Sequence, residues 1–287
     1  SILKAKHLRS HHNLIMSIIT LLTDFGTKDA YVGAMKGVIL SINPSAIVVD
    51  VSHYIDPQDL IEAAYLIKSS YKYFPKGTIH IIVVDPGVGG SRSIVAVKLS
   101  SHIFLAPDNG VLTLLLDEEE VEAIVRVENT RYFLNSISQT FHGRDIFAPV
   151  GSHISKNVPI EKLGPQVGMQ DLIRLNIPKP YFSNNDEIIV TIISIDRFGN
   201  CISDIDENCL NKFLTNGFEK ILEIKIGKTV IKSLSRTYTD VGSGCPLAII
   251  GSFGYLEIAV NCGNATRQLN VHKGDTINLK WTVSGDK

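Results

Sequence analysis

The sequence predicts an α/β N-terminal domain with a largely parallel sheet, followed by a smaller, mainly β domain. Strand-like hydrophobic runs alternate with helical periodicity through the first half, the pattern of parallel strands covered by helices. After about residue 165 the pattern changes: Pro165, Pro178 and Pro180 punctuate a stretch ending in Ser183-Asn184-Asn185, and short strands follow. A chain of 287 residues, 44% hydrophobic, is long enough to bury two cores of this kind.

In the first half, Ser17 to Thr23 reads as a strand and Asp29 to Ser41 as a helix with Tyr31, Met35, Val38 and Ile39 near one face. Ile47 to Val51 is the next strand, Asp59 to Tyr71 a helix, and Thr78 to Val84 a buried strand. Ser93 to Lys98 and Ile103 to Ala106 are short and β-rich, and Val111 to Leu116 starts a short helix. In the second half the strands are Glu187 to Ile195, Leu222 to Ile226, Lys228 to Lys232, Leu247 to Ile250, Tyr255 to Val260 and Thr276 to Trp281. Gly227-Lys228 suits a hairpin turn, and only Glu207 to Leu214 suggests a helix. A barrel or sandwich accounts for such a succession. The domains are expected at residues 16–170 and 186–287.

The net charge of −1, without a basic stripe, excludes nucleic acid as an expected partner. No apolar run reaches the roughly 18 residues of a membrane helix. The cysteines, Cys201, Cys209, Cys245 and Cys262, form no C-x-x-C pair, so a disulfide framework or zinc site is not expected and a reducing, cytoplasmic compartment fits. The first 15 residues are basic, with Lys4, Lys6, His7, Arg9, His11 and His12, and lack the apolar core of a signal peptide. They read as an upstream start or a remnant of expression.

Polar loops follow several strands of the first half. Asp24 closes the first in Thr23-Asp24-Phe25-Gly26, and Asp85 opens Asp85-Pro86-Gly87-Val88-Gly89-Gly90-Ser91-Arg92 after the third. Asp108-Asn109-Gly110 and Phe141-His142-Gly143-Arg144-Asp145 complete the set. If the strands are parallel, these loops share one sheet edge, where open α/β sheets bind ligands. His142 near Asp85 and Arg92 would form a charged cage able to orient a water molecule; a histidine capping a turn is the plainer alternative. In the second half, Asp196-Arg197-Phe198-Gly199-Asn200 and Gly251-Ser252-Phe253-Gly254-Tyr255-Leu256-Glu257 set aromatic rings beside hydrogen-bonding groups, a combination suited to a flat heterocycle, or to ordinary β-turns. Asp24-Phe25-Gly26 matches the kinase metal triplet but lacks its catalytic loop, and Gly87-Val88-Gly89-Gly90 lacks the ending of a phosphate loop.

Taken in order, these five motifs resemble the S-adenosylmethionine (SAM) hydroxide adenosyltransferases, relatives of the fluorinating and chlorinating adenosyltransferases, from about Met16 to the C-terminus. The resemblance implies an α/β N-terminal domain, a β-barrel-like C-terminal domain and a homotrimer. The substrate would lie between the N-terminal domain of one subunit and the C-terminal domain of its neighbour. It implies hydrolysis of SAM to adenosine and L-methionine, with SAM as substrate and no cofactor or metal. By motif, Asp85, Arg92 and His142 are the catalytic set, with Asp85 or His142 taking the proton of water. Asp24 corresponds to the carboxylate on the ribose hydroxyls. Phe198, Asn200 and Tyr238 correspond to adenine contacts, Asp196 and Ser252 to contacts with the methionine end, and Glu257 to a nucleoside contact. Departures from the halogenating branch favour water: Gly143 stands where that branch has a serine, Asp85 where it has a tyrosine, and Gln58 where it has a tryptophan. Its long insert, expected between Arg92 and Asn109, is absent, and Phe253 replaces an arginine at the methionine carboxylate. A halide-using adenosyltransferase and a nucleoside-binding protein with vestigial catalysis are the competing readings.

Overall fold

The computed structural model describes residues 17–184, 187–214 and 220–283. The basic segment 1–15, Met16, residues 185–186, 215–219 and 284–287 lie outside the described residues. The chain divides into two compact units, Ser1–Leu175 and Asn176–Lys287.

The first unit runs β1 (Ile18–Thr23), α1 (Tyr31–Ile42), β2 (Ile47–Ser52), α2 (Leu60–Ser70), β3 (Ile79–Val83), β4 (Ile94–Leu99), β5 (His102–Pro107), α3 (Thr113–Glu118), β6 (Val121–Arg126) and α4 (Ala148–Ser155). Its sheet has the order β2-β1-β3-β5-β4-β6. The β1–β2, β1–β3 and β3–β5 pairs are parallel, whereas β4 is antiparallel to both β5 and β6. The predicted parallel alternation therefore holds for the centre of the sheet and fails at β4. Only Ser100 and Ser101 separate β4 from β5, too few residues for a crossover. Both have positive φ (45° and 69°), as the tight turn that matches strand twist requires.

Alternation along the strands divides the core between the two faces of the sheet. Ile19, Leu21, Ile79 and Ile81 pack with Met35, Ile39, Phe147 and Val150 of α1 and the α4 region. Leu22, Ile82 and Val84 pack with Ile67 of α2 and Leu115 of α3 on the other face. Helix α1 buries Val32, Met35 and Ile39, while Tyr31, expected near that face, is 48% exposed. Helix α2 starts where the Asp59 carboxylate accepts the Glu62 N–H at 2.9 Å, a side-chain N-cap.

The second unit contains β7 (Tyr181–Asn184), β8 (Glu187–Ile195), β9 (Cys201–Asp206), α5 (Glu207–Leu214), β10 (Lys220–Ile226), β11 (Thr229–Ile231), β12 (Leu234–Ser235), β13 (Pro246–Ile250), β14 (Tyr255–Val260), α6 (Ala265–Leu269) and β15 (Thr276–Val283). The strand order is β11-β10-β15-β8-β9-β14-β13-β12, with β7 also on β8. β11 comes back against β13, so the sheet is nearly closed and barrel-like. Its interior is filled by Ile188, Val190, Ile224, Ile258, Ile277 and Leu279. Gly227-Lys228 forms the expected two-residue hairpin, with Ile226 opposite Thr229 and Gly227 at φ 55°. Among the described residues no helix is long and apolar enough to cross a membrane.

Candidate active site

Parallel β1, β3 and β5 deliver Asp24, Asp85 and Asp108 to the same edge of the first sheet. Antiparallel β4 begins at that edge, because Ile94 pairs with Pro107 at the end of β5. Arg92, just before β4, is thereby returned beside Asp85. After β6 the chain comes back to this edge, and His142 leads into a π-helical turn, Gly143–Phe147, that continues into α4.

Asp85, Arg92 and His142 meet. Arg92 Nε lies 3.0 Å from both carboxylate oxygens of Asp85, and Arg92 Nη2 contacts Asp85 Oδ2. The same Nη2 donates to His142 Nδ1 at 2.8 Å. All three side chains are largely buried, the Arg92 and Asp85 side chains at 10% and 5% exposure. A guanidinium only donates, so His142 Nδ1 is the acceptor and the neutral ring carries its proton on Nε2. Burial first, and the Arg92 charge second, push the His142 pKa below the ordinary 6.5, with Asp85 opposing. His142 is neutral at pH 7.

A cavity of about 400 Å³ opens at this cluster. Asp24, Asp85 and His142 line it, together with Gln58, Thr140, Gly143 and the rings of Phe25, Tyr31 and Phe141. The three rings pack on one another with centroids 5.0–5.9 Å apart. Arg92 is not part of the lining; it stands behind Asp85 and His142 and braces both. The expected cage is thus a carboxylate and an imidazole facing the cavity from a shared guanidinium. Tyr31, which helical periodicity sets near the face of Met35 and Ile39 without marking it as a site residue, is also part of the lining. Its position as the first residue of α1, just after the Asp24 loop, is the signal that places it here.

Asp108-Asn109-Gly110 plays a different part from the other loops. Asn109 Nδ2 donates to the carbonyl of Val84, next to Asp85, at 2.9 Å, and Asp108 Oδ1 accepts the Ile173 N–H at 2.9 Å. This loop supports the floor of the site without lining the cavity.

Two glycines have steric reasons to be there. Gly89 has φ +76°, and a Cβ on it would lie 2.2 Å from the carbonyl oxygen of Gln139. The β3–β4 loop is pressed against the segment that carries His142, and only glycine permits the approach. Gly89→Ala is expected to part His142 from Arg92, and NMR titration should show the His142 pKa rising toward 6.5 as the guanidinium withdraws. An unmoved pKa would mean that the two loops are held by other contacts. At Gly143 a Cβ would meet Met35 Sδ and Phe141 Cε2, each at 3.2 Å, so a serine there requires these neighbours to yield.

In the second unit Asp196 builds its own turn. Its Oδ1 accepts the N–H groups of Phe198 at 2.9 Å and Asn200 at 2.8 Å, and Oδ2 accepts Asn200 Nδ2 at 2.9 Å. The turn thrusts the Phe198 ring outward, 74% exposed, and buries Asn200. Glu257 on β14 is buried, and Tyr238 donates to its Oε2 at 3.5 Å. Burial first, then the Asp196 charge, raises the Glu257 pKa. A Cβ on Gly251 would fall 1.7 Å from Glu257 Oε1, so glycine makes room for that carboxylate. Ser252 is exposed on the same β13–β14 turn. The structure brings Asp196, Asn200, Tyr238 and Glu257 into one cluster, with Phe198 and Ser252 at the surface.

Known proteins carry the same two domains in the same order. The profile of the SAM hydroxide adenosyltransferase N-terminal domain matches residues 19–164, and that of the C-terminal domain matches residues 190–278. The chain belongs to the SAM hydroxide adenosyltransferase family. Within it, a Thermus thermophilus protein named (R)-S-adenosyl-L-methionine hydrolase is 34% identical over 271 residues, covering 92% of this chain and 100% of that one. A Methanocaldococcus jannaschii protein of the same name is 34% identical over 92% of this chain and 96% of its own. A fluorinase from an Actinoplanes species is more distant, at 28% identity over 91% of this chain and 97% of that protein. The crystal structure of an uncharacterized conserved protein from Thermotoga maritima superposes with a TM-score of 0.84 at 36% identity, over 91% of this chain and 99% of that one. As a SAM hydroxide adenosyltransferase, this chain has Asp85, Arg92, His142 and Asp24 within the first matched domain, and Asp196, Phe198, Asn200, Tyr238, Ser252 and Glu257 within the second.

Proposed function

We propose that this protein hydrolyses S-adenosyl-L-methionine by attack of water on the ribose 5′ carbon, releasing adenosine and L-methionine. The observation that carries the reading is the Asp85–Arg92–His142 cluster, whose carboxylate and imidazole face a cavity of nucleoside size. The water oxygen bonds to C5′, the C5′–S bond breaks with its electron pair going to sulfur, and methionine leaves as a neutral thioether. A sulfonium needs no acid to depart, so the chemistry lies in placing and orienting water. Fixing both partners in line contributes on the order of 7–11 kcal/mol when alignment is near ideal.

The geometry supports a more specific division of roles than motif matching does. His142 Nδ1 is occupied by Arg92, and its Nε2 carries hydrogen, so the neutral ring donates to the water oxygen. Asp85 keeps acceptor capacity beyond its bonds to Arg92, and it receives the water's proton. Arg92 acts by holding both groups in register. Asp24 takes the vicinal diol of the ribose. Phe198, Asn200 and Tyr238 serve adenine, Glu257 the nucleoside, and Asp196 and Ser252 the methionine end. In this reading the protein is a cytoplasmic homotrimer, with each substrate held between domains of neighbouring subunits. It uses neither metal nor organic cofactor, because the substrate supplies its own leaving group.

The test is reaction in isotopically labelled water, with both sulfonium epimers of the substrate and with chloride added. Heavy oxygen should appear on the 5′ position of adenosine, methionine should stay unlabelled, and no 5′-chloroadenosine should form, since the Asp85 carboxylate repels a halide. Label on another product, or abundant chlorinated nucleoside, overturns the reading.

A further inference from the structure

A buried histidine outside the cavity grips the loop that carries Asp24. β2 has a bulge: Leu21 of β1 pairs with Asp50 and Leu22 with Ser52, so Val51 is skipped. Bulges re-aim the residues that follow them, and here His53, 3% exposed, comes to lie against Thr23. His53 Nδ1 is 2.8 Å from Thr23 Oγ1, and that oxygen accepts the Phe25 N–H at 3.3 Å. The His53 carbonyl accepts the Gly26 N–H at 2.7 Å. On its other side His53 Nε2 lies 3.0 Å from Asp50 Oδ1, in a contact too bent to count as a hydrogen bond. Lys36 Nζ holds the second Asp50 oxygen at 2.6 Å. Farther along the same segment, Gln58, at φ 67°, donates its N–H to Asp24 Oδ2 at 2.9 Å.

The Asp50 carboxylate can only accept, so the imidazole proton belongs on Nε2, on the Asp50 side. That leaves Nδ1 to accept from the Thr23 hydroxyl, whose oxygen in turn accepts the Phe25 N–H. Loop 24–26 is thereby held at both of its ends by segment 53–58. We propose that His53 is a positioning residue for Asp24, fixing the carboxylate where it meets the vicinal diol of a nucleoside. The inference rests on the nucleoside reading above. The His53 ring lies outside the cavity lining and acts through Thr23 Oγ1, while the backbone carbonyl of residue 53 holds the Gly26 amide.

The test is calorimetric binding of adenosine and of 2′,3′-dideoxyadenosine to the full chain, with SAM kinetics alongside. His53→Ala should weaken adenosine binding by about tenfold or more, the scale of one hydrogen bond to a charged group. It should leave the dideoxy analogue within about twofold, since that ligand has no diol to place. The KM for SAM should rise with kcat within about threefold. His53→Asn, whose amide oxygen can replace Nδ1 toward Thr23, should recover most of the loss. Equal weakening of both ligands would mean general damage and overturns the assignment, as does wild-type adenosine affinity in His53→Ala. If the wild-type protein binds adenosine but does not hydrolyse SAM, the hydrolase reading falls while the diol-dependent difference still decides the role of His53. If it binds no adenosine, both fall.

Discussion

His142→Ala and Asp85→Ala will each lower turnover by about 10²–10⁴-fold, the range attributed to a positioned proton-transfer group, while binding of substrate changes only a few fold. Both side chains line the cavity, and in the proposed reaction both face the water and neither holds the nucleoside. Arg92→Lys should cost about 10²-fold, the penalty of roughly 1 Å of misplacement. An ammonium is a point charge and cannot copy a fork that spans the Asp85 carboxylate and His142 Nδ1 together. The pH profile of kcat/KM supplies an independent reading. Burial and Arg92 hold the His142 pKa below 6.5. Activity should be level through neutral pH and fall only as acid protonates His142, which would aim an Nδ1–H at the guanidinium. That acid limb should change in His142→Ala. Turnover within about threefold of wild type in either alanine variant removes that residue from the water site.

The second large effect concerns stability in acid. His80 on β3 is fully buried, with Nδ1 2.8 Å from Thr20 Oγ1 and Nε2 3.1 Å from His102 Nδ1. Its ring stacks on Phe104 at 4.8 Å and meets the edge of Tyr71 at 6.3 Å. Desolvation first, and His102 second, depress its pKa to about 3. Burial also lowers His102. The unfolded chain takes up this proton near 6.5, and the folded chain refuses it until about 3. The stability contributed is therefore fully present above pH 6.5 and lost as pH falls through the window toward 3. One such group gives a slope of about 1.4 kcal/mol per pH unit, on the order of 4 kcal/mol across the window, against a typical total of about 5–15 kcal/mol. Urea midpoints followed from pH 7 to pH 5, above the range where most carboxylates titrate, should fall for the wild type and fall less steeply for His80→Phe. The comparison reads the slope, so the cost of leaving Thr20 and His102 without a partner does not obscure it. Equal slopes would show that the folded protein accepts the proton at His80.

Much of this protein can be read from its residues in order. Continuous apolar runs such as Ile18–Thr23 and Ile79–Val83, helical spacing in α2, and the Gly227-Lys228 turn each specify their local structure because the deciding contacts are near in sequence. The polar loops are legible as a set: one aspartate and glycine after a strand makes an ordinary turn, and several at the carboxyl ends of parallel strands make a pocket. Some elements lacked a local signal. β6, β9, α4 and α6 are short or mixed in character, and β9 is a strand because β8 and β14 flank it. Tyr31 could be set only near one face of a helix, because periodicity gives the face and not what the face meets. Arg92 and His142 are about fifty residues apart, and nothing in the chain between them states that Nη2 reaches Nδ1. That contact exists because β4 runs antiparallel, because Gly89 admits Gln139 at its back, and because the turn after His142 leads into α4. The sequence by itself determined the central strands and helices and the motifs that mark the family. The tertiary structure alone decided which motifs face the cavity and that Arg92 braces its neighbours from behind. It also decided which imidazole nitrogen carries the proton. Those properties depend on distances between segments remote in sequence, which only the packed sheet sets.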